Sequence, residues 1–310
     1  MRDGCTGATA VRWDSRAGRA PDEAYATGTA FTRVGSRVER VAGHEVRDRL
    51  PEGLADAIRE TAAEIAALLR AAPDTGLPVP RSEWTVGEAA AHLAQANQLM
   101  ADVAAGRPRD YGDGTPQSLA EANERALAAF GERAGEPLAA MIVSQAAAFI
   151  TAVAEHPSDE TLMTPMGPMN RTVLGSYLLT HMLGHGYDLA RALGRPHMGN
   201  RVRAGLTVPF FVEVMPRVTD DRATAGLTAR YTVRLWGGGR FGVTFTDGTV
   251  AVGHRPPDRP DCTISIEPVT FLLMALGRIA PAGAMARGRV LAWGRKPWTG
   301  PRFPAYFTAP

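Results

Sequence analysis

The sequence has few cysteines, almost no lysine and little net charge. Two cysteines among 310 residues, Cys5 and Cys262, cannot build the disulfide framework of a small secreted domain. The formal net charge of +2 gives no excess of basic residues to hold nucleic acid or an anionic membrane surface. The N-terminal segment lacks the apolar stretch of a secretory signal. These absences favour a cytoplasmic protein whose partners are small molecules.

Long hydrophobic runs are also missing. The most apolar stretch, Leu138–Ala154, is interrupted by Ser144, Gln145 and Thr151, and its apolar residues recur near helical spacing. A transmembrane helix needs about 20 predominantly apolar residues in succession. The stretch is therefore predicted to be a buried helix of a bundle, and no membrane span is expected.

The periodicity of the chain changes along its length and predicts two domains, as the chain length also suggests. Residues 1–45 carry Gly, Ala, Arg and Thr without sustained periodicity and are predicted to be a disordered leader. Residues 46–222 have helical periodicity, and residues 223–310 have strand periodicity. The predicted fold class is α+β: a four-helix bundle followed by a smaller α+β domain built on an antiparallel sheet.

The boundaries of the bundle helices follow from caps and helix breakers. Thr85 and Glu88 form a capping box at the start of the second helix, and Gly194 and Pro196 end the last one. The predicted helical regions are Leu54–Leu69, Thr85 to about Val103, a third over Ser118–Arg133 or Pro137–Glu155, as one piece or two, and Thr172–Leu193.

The second half alternates apolar and polar residues, as half-buried strands do. Asp247 and Gly248 lie between two alternating runs and are a strong hairpin signal. Cys262–Ile266 and Arg289–Ala292 are predicted to be further strands. A helix that opens at Glu267 and Pro268 separates them.

Three histidines are candidates for a metal site. His181 and His185 are four residues apart on a predicted helix, so both project from one face, about one turn apart. His92 lies on another predicted helix among alanines and Leu93, and a bundle can bring it to the same point of the core. Neutral imidazoles suit zinc, and they also accept nickel, copper or iron.

A histidine pair at this spacing also occurs without any metal, as satisfied core residues. Gly184 and Gly186 flank His185 and lower the helix propensity there. They fit a close approach by a cofactor, and they fit plain helix packing equally well.

Three segments, in this order along the chain, resemble the mycothiol-dependent maleylpyruvate isomerase-like family of DinB-like metal-binding bundles. The segments are Trp84–Leu93 (WTVGEAAAHL), Thr164–Met169 (TPMGPM) and His181–Pro196 (HMLGHGYDLARALGRP). This resemblance covers about residues 46–220. The remainder is similar to the sterol carrier protein type two fold, through Asp261–Ile266 (DCTISI) and Gly288–Gly294 (GRVLAWG). The abundance of alanine, and of arginine in place of lysine, fits an actinobacterial origin.

The resemblance implies a divalent metal on His92, His181 and His185, with an open position for the thiolate of mycothiol. Zinc is the expected metal and nickel the alternative. The isomerase itself is typically ligated through His, Glu and His, and His181 stands where its Glu would be. Three neutral ligands leave the metal one charge unit more positive, which favours a bound thiolate or hydroxide. This departure puts maleylpyruvate isomerisation specifically in doubt.

Several polar residues are candidates for contacts with mycothiol, a polyhydroxylated pseudodisaccharide. Asn97, Gln98, Asn170 and Arg171 are predicted to bind the cofactor. Asp188 is a further candidate for such a contact; alternatively it orients a ligand histidine, or it forms a cap or a salt bridge with Arg191 or Arg195.

In the second domain, Arg287 and Arg289, with Arg295 nearby, are candidates for clamping an anionic substrate. A solvated strand edge would explain these arginines about as well.

The leading hypothesis is a metal-dependent enzyme in which mycothiol attacks an electrophilic small molecule. Addition to a conjugated alkene followed by elimination would make it an isomerase, and loss of a leaving group would make it an S-transferase. The alternatives are a metal-water hydrolase, a lipid or small-molecule carrier with a structural metal, and a metal-free regulatory bundle. The chain is expected to be a monomer or a homodimer.

Overall fold

The computed structural model describes residues 50–107, 109–156 and 159–308. The predicted leader, residues 1–45, lies outside the described residues. The described residues belong to one compact unit.

The first half is helical. Its long helices are α1 (Leu54–Arg70), α2 (Val86–Ala104), α3 (Leu119–Ala129), α4 (Gly135–Glu155) and α5 (Arg171–Ala192). The short helices α6 (Arg201–Leu206), α7 (Val208–Val214) and α8 (Asp221–Thr224) follow. The third predicted region, left open as one piece or two, forms two helices. A small hairpin, β1 (Thr161–Thr164) with β2 (Gly167–Asn170), joins α4 to α5 and was not predicted.

Helix α4 is the most apolar long stretch of the sequence, and one of its faces is buried. It packs against α1 and α2 and buries Leu138, Ile142 and Phe149 completely. By length and composition α4 could also cross a membrane, a property that the core helices of soluble proteins share. Its contacts with α1 and α2 agree with the prediction of a buried bundle helix.

The second half is a five-stranded sheet with helices. The strands are β3 (Ala229–Leu235), β4 (Arg240–Thr246), β5 (Thr249–Gly253), β6 (Cys262–Ile266) and β7 (Val290–Trp293). Helices α9 (Pro268–Ala275) and α10 (Pro281–Ala286) lie between β6 and β7, and a 3₁₀ helix covers Pro297–Tyr306. The Asp247-Gly248 turn joins β4 to β5, as predicted.

The sheet is mixed, whereas an antiparallel sheet was predicted. The strand order is β5-β4-β3-β6-β7, and β3 pairs with β6 in parallel, with Tyr231 opposite Cys262. All other neighbours in this sheet are antiparallel. Alternation of apolar residues identifies a strand but carries no information about its direction. The connection between β5 and β6 returns the chain across the sheet, and this crossover makes the pair parallel.

The glycines beside His185 mark close packing. A Cβ on Gly184 would lie 2.9 Å from Leu276 of the second domain. A Cβ on Gly186 would lie 2.6 Å from the sulfur of Met198 and 3.2 Å from Ile65 in α1. Side chains therefore fill the space at both positions, so the interpretation as packing glycines is confirmed.

The packing of α4 against α1 can be tested at the first residue of α4. A Cβ on Gly135 would lie 2.6 Å from the backbone oxygen of Leu69 at the end of α1, and a backbone atom cannot move aside as a side chain can. We expect Gly135→Ala to lower the free energy of unfolding by about 2 kcal/mol. Urea denaturation of the purified protein measures this change.

The matched control is Gly205→Ala in α6, where an added methyl group has open space. This variant should be neutral or should gain up to about 1 kcal/mol, because alanine has the higher helix propensity. Equal effects of the two substitutions would contradict the close approach of α1 and α4.

Candidate metal centre

Two long helices, each fixed at its N-terminus, carry the three candidate histidines. In α2 the predicted capping box is present: the Glu88 N–H donates to Thr85 Oγ1 (3.3 Å) and the Thr85 N–H donates to Glu88 Oε2 (2.8 Å). In α5 the side chain of Asn170 accepts from the N–H of Val173. Because both helices contact each other, His92 of α2 meets the histidine face of α5.

The side chains of His92, His181 and His185 converge on one point. Their ligand nitrogens all lie within 4.8 Å of one another, and Nε2 of His92 is 3.1 Å from Nε2 of His181. Zinc–nitrogen bonds of about 2.0–2.1 Å in tetrahedral geometry separate ligand nitrogens by about 3.3 Å. The donor set and its spacing therefore fit a divalent cation.

The surroundings keep all three imidazoles uncharged at neutral pH. Burial, and to a smaller extent the positive charge of Arg278, lower the pKa of His92 to about 4. The pKa values of His181 and His185 are also well below the usual range, first because of burial and then because of the neighbouring histidines and Arg278. A neutral imidazole offers a lone pair, so the site is ready to bind a metal without first losing a proton.

Aromatic rings enclose the cluster. The ring of Trp84 lies 4.9 Å from that of His92 and 6.1 Å from that of His185, between centroids. Tyr177 meets His181 edge-on at 6.3 Å and stacks on Phe210. The Nδ1 atom of His181 is buried and has no hydrogen-bond partner in the described part of the chain. The rings thus separate the imidazoles from water on these sides.

Asp188 connects the cluster to the second domain. Its Oδ2 lies 3.6 Å from Nδ1 of His185, and it accepts a hydrogen bond of 2.8 Å from Nη2 of Arg278. The Nε atom of Arg278 donates to both carboxylate oxygens, at 3.3 and 3.2 Å. Burial raises the pKa of Asp188, and Arg278 counteracts that shift. The carboxylate therefore faces a candidate ligand and also forms an ion pair, with Arg278 in place of the predicted Arg191 or Arg195.

Arg278 is the residue that sequence reasoning missed. It follows α9, just after Gly277 with its left-handed backbone (φ 70°), and its N–H donates to the oxygen of Leu273. No local motif distinguishes it from the other arginines of the second domain. Only the docking of α9 against α5, far away in sequence, brings its guanidinium to Asp188.

The histidines line a cleft of about 670 Å³ with several polar side chains. Tyr111 donates a hydrogen bond of 2.5 Å to Asn123 on one wall, and burial raises the pKa of the Tyr111 hydroxyl. Other polar lining residues include Arg81, Gln117, Glu124, Thr180, Tyr187, Asp188, Arg191, Arg278 and Thr308. The cleft is thus large enough for a small hydrophilic molecule and provides both donors and acceptors.

Apart from Asp188, the predicted cofactor-binding residues do not line this cleft. Asn97 is completely buried, and its amide has no hydrogen-bond partner among the described residues. Asn170 caps α5. Arg171 is buried and donates to the oxygen of Ala104 and to Glu160. In the structure Asn170 and Arg171 hold the start of α5. Their positions in the sequence alone could not distinguish a loop residue at the cleft from a residue that caps a helix.

The predicted clamp arginines are likewise outside the cleft. Arg287 ends α10, and Arg289 immediately precedes β7, where its oxygen accepts from the N–H of Glu267. Arg295 lies 3.9 Å from Asp261. Among the described arginines of the second domain, Arg278 is the one that lines the cleft.

The depressed histidine pKa values predict how the metal-free protein responds to acid. Each of these histidines has a pKa of about 6.5 in the unfolded chain and a lower pKa in the fold, so the unfolded chain binds the proton more readily. The free energy of unfolding therefore falls as the pH falls below 6.5. For His92 alone, the loss between pH 7 and pH 5 is about 2 kcal/mol. Urea denaturation of chelator-treated protein at several pH values measures it.

His92→Gln should flatten this pH dependence, since glutamine does not titrate. The control is His254→Ala, which removes an exposed histidine outside the cluster. An unchanged pH slope in His92→Gln would contradict the buried, uncharged state of His92.

Two family models match the chain in series. The model of the mycothiol maleylpyruvate isomerase N-terminal domain matches residues 58–190, which include all three histidines. The model of the SCP-2 sterol transfer family matches residues 214–294. No curated protein matches the chain significantly.

Solved structures with similar folds include two of a mycothiol-dependent maleylpyruvate isomerase, one of them a histidine-to-alanine mutant. Both are 13% identical and cover 78% of this chain and 93% of theirs, with TM-scores of 0.47 for the mutant and 0.42 for the other. A stereoselective inverting sec-alkylsulfatase from Pseudomonas sp. is 15% identical over 44% of this chain, with a TM-score of 0.30. This chain spans only 24% of that sulfatase.

The family matches confirm the resemblance predicted from the three sequence segments and from the strands of the second half. Residues 58–190 therefore match the mycothiol maleylpyruvate isomerase N-terminal domain family, and residues 214–294 match the SCP-2 sterol transfer family.

Proposed function

We propose that this chain is a metal-dependent enzyme that activates the thiol of mycothiol for attack on an electrophilic small molecule. The observation that carries the proposal is the convergence of three uncharged histidines in a polar cleft. The family match supports mycothiol as the thiol. The reaction is either S-transfer or thiol-assisted cis–trans isomerisation.

In this proposal His92, His181 and His185 hold one divalent cation, with zinc favoured by the nitrogen donors and nickel as the alternative. When bound, the cation lowers the pKa of a coordinated thiol, so that the thiolate prevails at neutral pH. Among the described residues no carboxylate belongs to the histidine cluster. Three neutral ligands leave the full double charge to stabilise an anion.

The surrounding residues have separate roles. Trp84 and Tyr177 exclude water from the imidazoles, which strengthens the electrostatic interactions in the site. Asp188, held by Arg278, orients His185. The donors and acceptors on the wall with Tyr111 and Asn123 suit the hydroxyl groups of a sugar-like thiol.

The nucleophile has to come from outside the described part of the chain. Its cysteine, Cys262, is buried in β6, and burial raises the pKa of this thiol. A buried thiol with a raised pKa is a poor nucleophile. An external thiol in the cleft does not have this limitation.

The two reaction outcomes differ in the fate of the new carbon–sulfur bond. If the thiolate adds to a conjugated alkene, the former double bond rotates and elimination returns the thiol with the isomerised product. If the electrophilic carbon carries a leaving group, that group departs with the bonding electrons and a thioether remains. We further propose a cytoplasmic protein, monomeric or homodimeric, that acts on small molecules.

Metal analysis is the first test. Protein purified without chelator should contain about one zinc or nickel per chain by inductively coupled plasma mass spectrometry. His92→Ala and His181→Ala should lose it, because two nitrogens rarely retain such a cation.

The exposed His254→Ala variant should keep the parent metal content. A parent without metal that also takes none up on reconstitution would overturn the enzyme proposal and favour a carrier. Metal retained in both cluster variants would overturn the ligand assignment.

Cobalt substitution tests whether the thiol reaches the metal. Mycothiol added to the cobalt-loaded protein should produce a sulfur-to-cobalt charge-transfer band in the near ultraviolet, with a saturable titration. The oxygen analogue of mycothiol, which lacks sulfur, should not produce it.

An unchanged near-ultraviolet spectrum with a loaded cobalt site would contradict thiol coordination. The hydrolase alternative, in which water occupies the open position, would then take precedence.

A further inference from the structure

The net charge of +2 hides an uneven distribution of charge along the chain. Residues 268–310 contain six basic side chains and no acidic one, whereas residues 1–267 contain 28 basic and 32 acidic side chains and carry a net charge of −4. One of the six, Arg278, is paired with Asp188 at the metal cleft. The other five belong to the segment that includes β7: Arg287, Arg289, Arg295, Lys296 and Arg302.

These five cations have few partners of opposite charge. Among the described carboxylates, Asp261 is the one within salt-bridge distance of any of them, and it is shared by Arg295 (3.9 Å) and Lys296 (3.4 Å). The four arginines are exposed, and none of the five cations lines the metal cleft. The segment around β7 is therefore a patch of unbalanced positive charge outside the candidate metal site.

Large apolar side chains are exposed in the same segment. The exposed fraction is 52% for Leu291 and 44% for Trp293 in β7, and it is 68% for Trp298 in the following 3₁₀ helix. Because side chains alternate along a strand, Leu291 and Trp293 lie on the same face of the sheet. Exposed apolar groups rimmed by polar residues mark interaction surfaces, and tryptophan and arginine dominate the binding energy of protein interfaces.

Strand β7 lies at the edge of the sheet, so one side of its backbone faces away from β6. The oxygen of Arg289 accepts a hydrogen bond from the residue that follows β6, and bonded and non-bonded positions alternate along an antiparallel pair. The backbone groups of Leu291 and Trp293 therefore point to β6. Those of Val290 and Ala292 point outwards and have no hydrogen-bond partner among the described residues.

We propose that the β7 edge binds an extended, acidic segment of a partner protein, which adds a further strand to the sheet. Main-chain hydrogen bonds to the outward groups of β7 align this segment. Its apolar centre covers Leu291 and Trp293, and carboxylates at its two ends meet Arg289 and Arg295. This surface does not include the metal cleft, so the binding does not depend on the thiol chemistry.

Other uses of this edge agree less well with the structure. Pairing of β7 with the β7 of a second copy would set cations against cations, which destabilises neighbouring strands. The hydrocarbon region of a membrane offers no partners for the outward N–H and C=O groups. Charges on an edge strand can also serve only to prevent aggregation. That role does not explain why Trp293 and Trp298 are exposed.

Fluorescence anisotropy on the full chain tests the proposal with a labelled peptide in which a central Val-Thr-Val is flanked by glutamates. The peptide should bind saturably, and its analogue with lysines in place of the glutamates should not. Arg289→Glu should weaken binding roughly tenfold, because it sets like charges against each other. Trp293→Ala should weaken binding about thirtyfold, as expected for a buried tryptophan anchor.

Matched variants elsewhere on the surface control for charge and for apolar area. Arg222→Glu, at an exposed arginine of α8, should bind the peptide like the parent. Val202→Ala, at an apolar residue of α6 that is 71% exposed, should also bind like the parent.

Two measurements separate strand addition from attraction by charge alone. Methylation of the central amide nitrogens of the peptide removes its backbone donors and leaves its charge unchanged, and it should weaken binding roughly tenfold. Amide hydrogen exchange followed by nuclear magnetic resonance should slow at Val290 and Ala292 when the peptide binds. Leu291, whose N–H already points to β6, should keep its exchange rate.

Equal binding of the glutamate and lysine peptides, undiminished binding of the methylated peptide, or the absence of saturable binding would each overturn the proposal. Phosphatidylglycerol vesicles and single-stranded oligothymidine are tested in the same way. Binding to either of these without binding of the peptide would assign the basic patch to another class of partner and refute strand addition.

Discussion

The burial of three uncharged imidazoles between α2 and α5 is the constraint on which the rest of the site depends. Charging any of them would place a cation in a poorly solvated interior next to Arg278, and this cost keeps their pKa values low. The helices must therefore fix the three rings accurately, because the spacing of the ligand nitrogens decides whether they can hold one cation. The caps at Thr85 and Asn170 and the close packing at Gly186 provide this accuracy.

The second domain completes the cleft that the bundle begins. The bundle supplies the histidines and Trp84, while Arg278 reaches across from the end of α9 to hold Asp188. Leu276, in the same loop, packs where Gly184 leaves room on α5. Helix packing and an ion pair thus act together at one contact, and a bundle without this partner would leave Asp188 without its guanidinium.

The sequence predicts features that lie within a single helix or strand. It does not predict features that arise when distant segments pack together. The spacing of His181 and His185 and the Thr85 cap are properties of single helices, so the cluster could be anticipated. The direction of β6 and the position of Arg278 arise from contacts between distant segments, and neither leaves a local signal. Asn170 and Arg171 were polar residues beside a functional helix, and only the burial and hydrogen bonds of the folded chain identify their role as structural.

The carboxylate of Asp188 is shared by an imidazole of one domain and a guanidinium of the other. Because one carboxylate makes both contacts, binding at the histidine cluster and docking of the sheet domain influence each other. A ligand of the histidine cluster that favours the present position of Asp188 also strengthens the docking of the sheet domain. By linkage, docking strengthens the binding of that ligand by the same free energy. The domain boundary predicted from the sequence is therefore crossed by an ion pair that lies beside the histidine cluster, and we expect binding at the cluster and docking of the two halves to be coupled.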